Sequence, residues 1–453
     1  MKDGTDTTVK AKKLVAFRQA FYSCLPKWSD ALFELCDAAL NARGPVGSTP
    51  LLSLESVFRR SHGSLYKALM HGEVNVDALR QLLVEHRPEG WPPVFAVDAS
   101  TWARCDAECS PERGFYYSAS KHSAGKPIVA GWSYQWITQL DWAPDSWTAP
   151  LDALRLPLDA SSTVTTIEQV KSLVDRLGAD GDVPMFVFDA GYDAIALSDG
   201  LKDTRAQVLV RIRSDRVFYD EPLQRETAVG RPRRHGKRFS CADPATQRKP
   251  DATLQAHDSR YGKVKVRVWN NLHPKLADRG YWENRQVLPI VNGTVIRVDV
   301  ERLPKPSSKN KTLWLWWSGD GDPDLDIIWR AYLRRFDIEH TYRFVKNTLG
   351  WTTPGICTPE QADKWTWLVV SAYTQLRLAR GLVEDLRLPW ERQLSPERLT
   401  PARVRRGFCR LGKTIGTPAS PPKSYRPGPG RPKGTKTGPR TRYPAVKKAT
   451  SGV

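Results

Sequence analysis

A chain of 453 residues that is 40% hydrophobic and 26% charged is long enough for about three domains and too apolar to be disordered throughout. Lysine and arginine exceed aspartate and glutamate by 20, which points to a polyanionic partner, most often nucleic acid. Seven scattered cysteines without a CxxC pair argue against a zinc ribbon and for reduced thiols in a cytoplasmic protein. The charged N-terminus lacks a signal-type apolar stretch, and no apolar run is long enough to predict a membrane span.

Residues 1–90 read as a helical N-terminal domain for DNA binding or dimerisation. Apolar residues recur at helical spacing in LVAFRQAFYSCL and ALFELCDAAL, and further helices are expected in SVFRR, SLYKALM and around Leu79, Leu82 and Leu83. Residues 91–213 alternate differently. PPVFAVD, GFYYSAS, PIVAGWSYQWITQL, PMFVFD and QVLVRIR predict strands, and TTIEQVKSLVDRLG and ALSDGLKD predict helices, which makes a mixed α/β sheet. Residues 214–311 read as a β-rich insertion. In YGKVKVRVW, Val264, Val266 and Val268 face one side and Lys263, Lys265 and Arg267 the other, either a DNA-facing surface or a solvated one. Asn292-Gly293 predicts a tight hairpin turn.

Residues 312–390 return to the sheet through TLWLWW. A helix follows with Asp322 as its cap and Pro323 at its first position, running to Gly350, and a second spans Pro359 to Leu386. Residues 391–453 are basic and rich in proline and glycine. From 411 onward the chain carries ten lysines and arginines and no acid, so it is expected to be disordered when unbound and to add affinity rather than fold.

Two acidic residues close buried-looking strands: Asp98 in VFAVDAS and Asp189 in VFVFDAG. A carboxylate there is costly without a partner, and a hard divalent cation compensates it with oxygen coordination. A cap or turn is the ordinary alternative. Asp193 is either a rival ligand or the cap of the next helix. In AYLRRFDIEHTYRFVKNTLGW, taken as one helix at about 100° per residue, Tyr332, Arg335, Glu339 and Lys346 share a narrow stripe with Arg343 beside it. Leu333, Phe336 and Phe344 flank it on one side, Ile338 and Val345 on the other. A polar seam on so apolar a helix has to meet a metal, a phosphate or a salt-bridge partner. His340 reads as a structural neighbour.

The spacing of Tyr332, Arg335, Glu339 and Lys346 resembles the Y-R-E-K signature of bacterial insertion-sequence transposases with a DDE active site. PERGFYY, WTAP and the GRPKG tail resemble actinobacterial members. The resemblance covers about residues 92 to 385. It implies a ribonuclease-H-like core, with Asp98 and Asp189 after its first and fourth strands, Glu339 on a late helix and the insertion in the long second gap. It implies that these three carboxylates hold two Mg²⁺ or Mn²⁺ ions. Water then frees a 3′-hydroxyl at the transposon end, and that hydroxyl attacks target DNA. Tyr332, Arg335, Lys346 and Arg343 would grip phosphates, and the partner would be double-stranded DNA bound by a homodimer. Asp98 lies in DAST, where many relatives have Asp-Gly-Thr, so its neighbouring contacts stay open. A metal-dependent nuclease that does not join strands, and a DNA-binding protein that kept the fold without the chemistry, are the alternatives.

Two basic strings suggest further DNA contacts. PGRPKG has the Gly-Arg-Pro core of an AT-hook, with Arg431 aimed at a minor groove and Lys433 beside it, or is a cationic loop. GRPRRHG, residues 230–236, poses the same choice. Trp314, Trp316 and Trp317 either stack on bases or fill a core.

Overall fold

The computed structural model describes residues 2–118, 127–222, 233–303, 311–424, 430, 432–436 and 438–446. The chain opens with α1 (Lys2–Ser23), α2 (Ser29–Asn41), α3 (Thr49–Leu52), α4 (His62–His71) and α5 (Val76–Glu85). SVFRR is a series of turns rather than the expected helix. The Arg59 backbone N–H is spent on the Glu34 carboxylate (3.0 Å) instead of on a helical carbonyl, and Arg59 and Arg60 both pair with Glu34.

The sheet begins with β1 (Val94–Ala103), β2 (Gly114–Tyr117), β3 (Ile128–Gln139) and β4 (Ala149–Arg155). After α6 (Ser162–Leu177) come β5 (Met185–Phe188), α7 (Ala194–Leu201) and β6 (Gln207–Ile212). β3 lies antiparallel to β1, and β2 and β4 lie end to end along its outer edge. β5 and β6 add in parallel on the other side of β1. Four antiparallel strands, then two parallel strands each preceded by a helix, form a mixed α/β core of ribonuclease-H-like topology. β4 escapes a propensity reading because it opens with Ala149 and Pro150, and proline is tolerated where the strand has one neighbour only.

The insertion contributes β7 (Val217–Tyr219) and β8 (Arg238–Ser240), a separate two-stranded ribbon, and then β9 (Ala252–Asp258), β10 (Gly262–Leu272) and β11 (Gly293–Val300). Through β12 (Thr312–Ser318), which pairs with β6, these last three extend the core sheet to order β2-β3-β1-β5-β6-β12-β11-β10-β9. Asn292-Gly293 is not a hairpin turn. Gly293 starts β11, whose partner β10 ended at Leu272. A Cβ at Gly293 would collide with the Trp316 ring, so close packing rather than turn geometry requires glycine there.

The expected long helix is two: α8 (Leu325–Arg334) and α9 (Asp337–Asn347). Between them Ile338 N–H bonds to Arg335 and Glu339 N–H to Phe336, three residues back, so the ladder tightens locally. The cap of α8 is Asp324, not Asp322: its carboxylate accepts from Asp326 and Ile327 N–H at 3.0 and 3.1 Å. α10 (Pro359–Ala379) stops short of Leu386, where Gly381 turns to φ +86°. α1 and α2 pack against α10, and Arg18 and Asp37 form a buried bidentate pair between α1 and α2 (2.7 and 2.8 Å).

α11 (Pro401–Ile415) carries the start of the expected disordered tail into a helix. Beyond it, the carbonyls of Ala419 and Ser420 accept from Arg59 and Arg60 (both 2.8 Å). Further on, Tyr443 O accepts from Arg113 (2.6 Å) and Val446 N–H donates to Arg113 O (2.7 Å). The described tail residues therefore contact the fold at two places, contrary to the expectation that the tail holds none of it. Lys433 is exposed, while Arg431 lies outside the described residues.

Candidate active site

Asp98 does not end its strand; it ends a pairing. β1 pairs with β5 over Val94, Phe95 and Ala96 only, and continues beyond Asp98 along β3, where Asp98 faces Trp136. Asp189 follows Phe188, the last residue of β5. Both carboxylates thus stand where the parallel pair β1–β5 opens, a position that leaves side chains accessible beyond the strand ends. Asp193 is the cap of α7, accepting from Ile195 and Ala196 N–H at 3.0 and 3.1 Å, and so is engaged away from the cluster.

The break between α8 and α9 delivers Arg335 to these acids. Its guanidinium lies 3.7 Å from Asp98, 3.7 Å from Asp189 and 3.9 Å from Glu339. Only 4% of the Arg335 side chain reaches solvent, against 24%, 41% and 42% for Asp98, Asp189 and Glu339. A buried cation thus lies beneath three carboxylates that open to water. Tyr332 O–H donates to Asp189 at 3.4 Å. Tyr332 and Arg335, expected at phosphates, sit in this floor.

α9 is fixed across β1 by aromatic packing. Tyr342 packs on Trp136 (5.5 Å between centroids) and Trp351 (6.1 Å), and Trp351 on Trp136 (5.0 Å). Tyr342 O–H donates to Asp98 O (2.6 Å) and Lys346 Nζ to Thr101 O (3.3 Å). Lys346 therefore reaches the β1 backbone, and Arg343 is exposed on the same helix. His340 lies in the field of Arg343, Arg260 and Arg334; burial, reinforced by those cations, lowers its pKa.

The sequence reading missed Arg211, whose guanidinium is 3.9 Å from Asp189. Phe188 pairs with Val210 in parallel register, so the residues that follow, Asp189 and Arg211, emerge side by side; knowing that register would have found it. Tyr342 was missed because its role is a backbone contact. On the basic face of β10, Arg267 pairs with Asp299 (3.1 Å), which also pairs with Arg297 of β11 (3.1 Å), while Lys263 and Lys265 are exposed. Trp314, Trp316 and Trp317 are buried core residues.

Burial raises the Asp98 pKa to about 6, Arg335 and the Ala99 N–H oppose the rise, and Asp189 and Glu339 add to it. Burial works against the Arg335 charge, but Tyr332 and the three carboxylates hold its pKa above the ordinary value. Among the described residues no group of three or more His, Cys, Asp or Glu side chains stands ready to hold a metal ion as placed. The acids instead surround the guanidinium. Their donor chemistry nevertheless suits a hard cation: carboxylate oxygens only, mutually repelling and open to solvent.

The Asp98 shift has a defined sign. The folded protein retains a proton that the unfolded chain releases near the ordinary value of 3.8, so stability falls as pH rises from there towards about 6. Urea midpoints measured across this window should decline more steeply in the parent than in Asp98→Asn. Parallel profiles would remove Asp98 as the titrating group.

The family model described as DDE superfamily endonuclease matches residues 20–274, more than half of the chain. The matched stretch includes Asp98 and Asp189 and ends before Glu339. No curated protein matches the chain.

Proposed function

The chain belongs to the DDE superfamily endonucleases, nuclease-type enzymes that act on DNA, and from that premise we propose that it is a transposase of the Y-R-E-K type. It cleaves double-stranded DNA at the ends of an insertion sequence and joins the freed 3′-hydroxyl to target DNA. The observation that carries this reading is the single guanidinium of Arg335 within 4 Å of Asp98, Asp189 and Glu339.

Asp98, Asp189 and Glu339 are the residues that would hold two divalent cations, Mg²⁺ or Mn²⁺, and such ions would supply positive charge to the reacting oxygens of phosphodiester hydrolysis and transesterification. Arg335 keeps three like charges together before any cation arrives. Tyr332 orients Asp189 through its hydroxyl. Tyr342 and Lys346 pin α9 to β1, which sets Glu339 against Asp98. Arg211 and Arg343 are the more open cations at this end of the sheet and are assigned to phosphate oxygens. Each chain carries one acid cluster and an element has two ends, so two copies act together on DNA, in the bacterial cytoplasm at the nucleoid.

The test is strand joining. Purified protein with Mg²⁺ or Mn²⁺ is given duplexes made from the inverted repeats flanking its coding sequence and a supercoiled plasmid. Covalent joining of the 3′ ends to the plasmid is expected. Cleavage without joining would reduce the enzyme to a nuclease, and binding without either would leave a DNA-binding protein.

A further inference from the structure

The N-terminal helices and α11 enclose a groove separate from the acid cluster. It runs between residues 42–57 and α11, with a volume of about 730 Å³, more room than a single ion needs. Arg43, Arg410 and Lys413 line it, with Glu55 as its one acid and Leu51 and Leu54 as an apolar wall. Arg43 and Lys413 are exposed and, among the described residues, neither forms an ion pair; Arg410 pairs with Glu384 (3.0 Å) at the surface, where such a pair contributes little.

Beneath the groove lies a fourth, buried cation. Arg405 is 6% exposed and donates to Ala39 O (2.9 Å) and Gly44 O (3.0 Å). Its Nη2 has no hydrogen-bond partner, and among the described residues no carboxylate pairs with it. Burial brings its pKa down to about 10, so it stays charged at neutral pH. Two carbonyls do not neutralise a guanidinium, so its field adds to that of the groove above it.

The groove is joined to the helix that carries Glu339. Val46 N–H donates to Thr348 O (3.0 Å), the residue that closes α9. Gly350, at φ +69°, lies so close that a Cβ would press on Val46. From Glu339 to Thr348 is about 14 Å along the helix axis, or about four base-pair steps of duplex DNA. Arg343 and Lys346 lie between them on the same helix.

We propose that this groove is a second contact for the sugar-phosphate backbone of duplex DNA, holding the helix a few base pairs from the phosphate at the acid cluster. The proposal rests on the endonuclease reading and extends it to a surface built jointly by the N-terminal helices and α11. Duplex DNA, rather than a free anion, is the occupant because the cations are spread along the groove and Arg343, exposed on α9, stands between Thr348 and Glu339 in the chain.

The double variant Arg43→Glu/Lys413→Glu tests it, using the full chain and a duplex of about three helical turns. Both side chains are exposed, so the melting temperature should hold. Affinity should drop about 10- to 100-fold, and the slope of log K against log salt should fall by about 1.8, the equivalent of two phosphate contacts. A control, Lys171→Glu/Lys202→Glu, makes the same change in net charge on α6 and the end of α7 and should lose far less. Glu339→Gln leaves the groove intact and should keep the full salt slope, which separates failure of the groove from failure of the active-site reading. If the groove variant binds no worse than the control, the proposal is overturned. It is equally overturned if DNA binding holds and self-association is lost instead, which would make the groove a contact between copies.

Discussion

Glu339→Gln should reduce cation-dependent DNA cleavage by about a thousandfold or more while raising the stability of the cation-free protein. The two effects share one cause. Glu339, Asp189 and Asp98 share the one buried guanidinium of Arg335, and Arg211 stands beside Asp189, so three carboxylates crowd around a single buried positive charge. Glutamine keeps the shape and removes one repelling charge, which relieves Asp98 and lowers its pKa. The same carboxylate oxygen is a donor that a divalent cation requires, and a lost stabiliser of transition-state charge costs about 10²- to 10³-fold or more. Plasmid nicking with Mg²⁺ and with Mn²⁺, together with melting curves in EDTA, reads both effects. Near-parental nicking would remove Glu339 from the active site. A lower melting temperature in EDTA would show that Glu339 contributes more to Arg335 than it costs Asp98.

Arg335→Ala should have the opposite pattern. Removing the buried cation takes away the one guanidinium that all three carboxylates share and leaves Arg211 beside Asp189, a loss on the order of 3 kcal/mol for a broken buried charge arrangement, reduced to the extent that water screens the acids. The variant should melt several degrees lower in EDTA and recover much of the loss in Mg²⁺, because a divalent ion takes over the neutralising role. Arg335→Lys should recover only part, since a point charge cannot face three carboxylates as a planar fork does. An Arg335→Ala protein that melts like the parent and loses only DNA affinity would return this side chain to the phosphate-gripping role that the signature implies. Its burial beneath the acids is the reason for expecting otherwise.

Much of the core was legible in the chain itself. PMFVFD and QVLVRIR are short apolar runs bounded by polar residues, and they are β5 and β6 at nearly the expected limits. Asp98, Asp189 and Glu339 were legible because a carboxylate after an apolar strand, and a polar stripe between apolar flanks, conflict with local burial. Local conflict is a property of sequence. What the sequence could not carry was register. That β1 pairs with β5 for three residues and then leaves Asp98 beyond its partner depends on strands far apart in the chain, as does the emergence of Arg211 beside Asp189. Periodicity also ran straight through Arg335 and Phe336, since both keep helical dihedral angles; only the hydrogen-bond ladder, tightened there to three-residue spacing, reveals the break. The Asn-Gly pair misled for the same reason, because the Trp316 ring that demands glycine at 293 comes from a neighbouring strand. Local patterning therefore determined which side chains were costly, and tertiary structure decided which partner offsets each cost, because a charge is compensated by whatever the fold brings within a few ångströms of it.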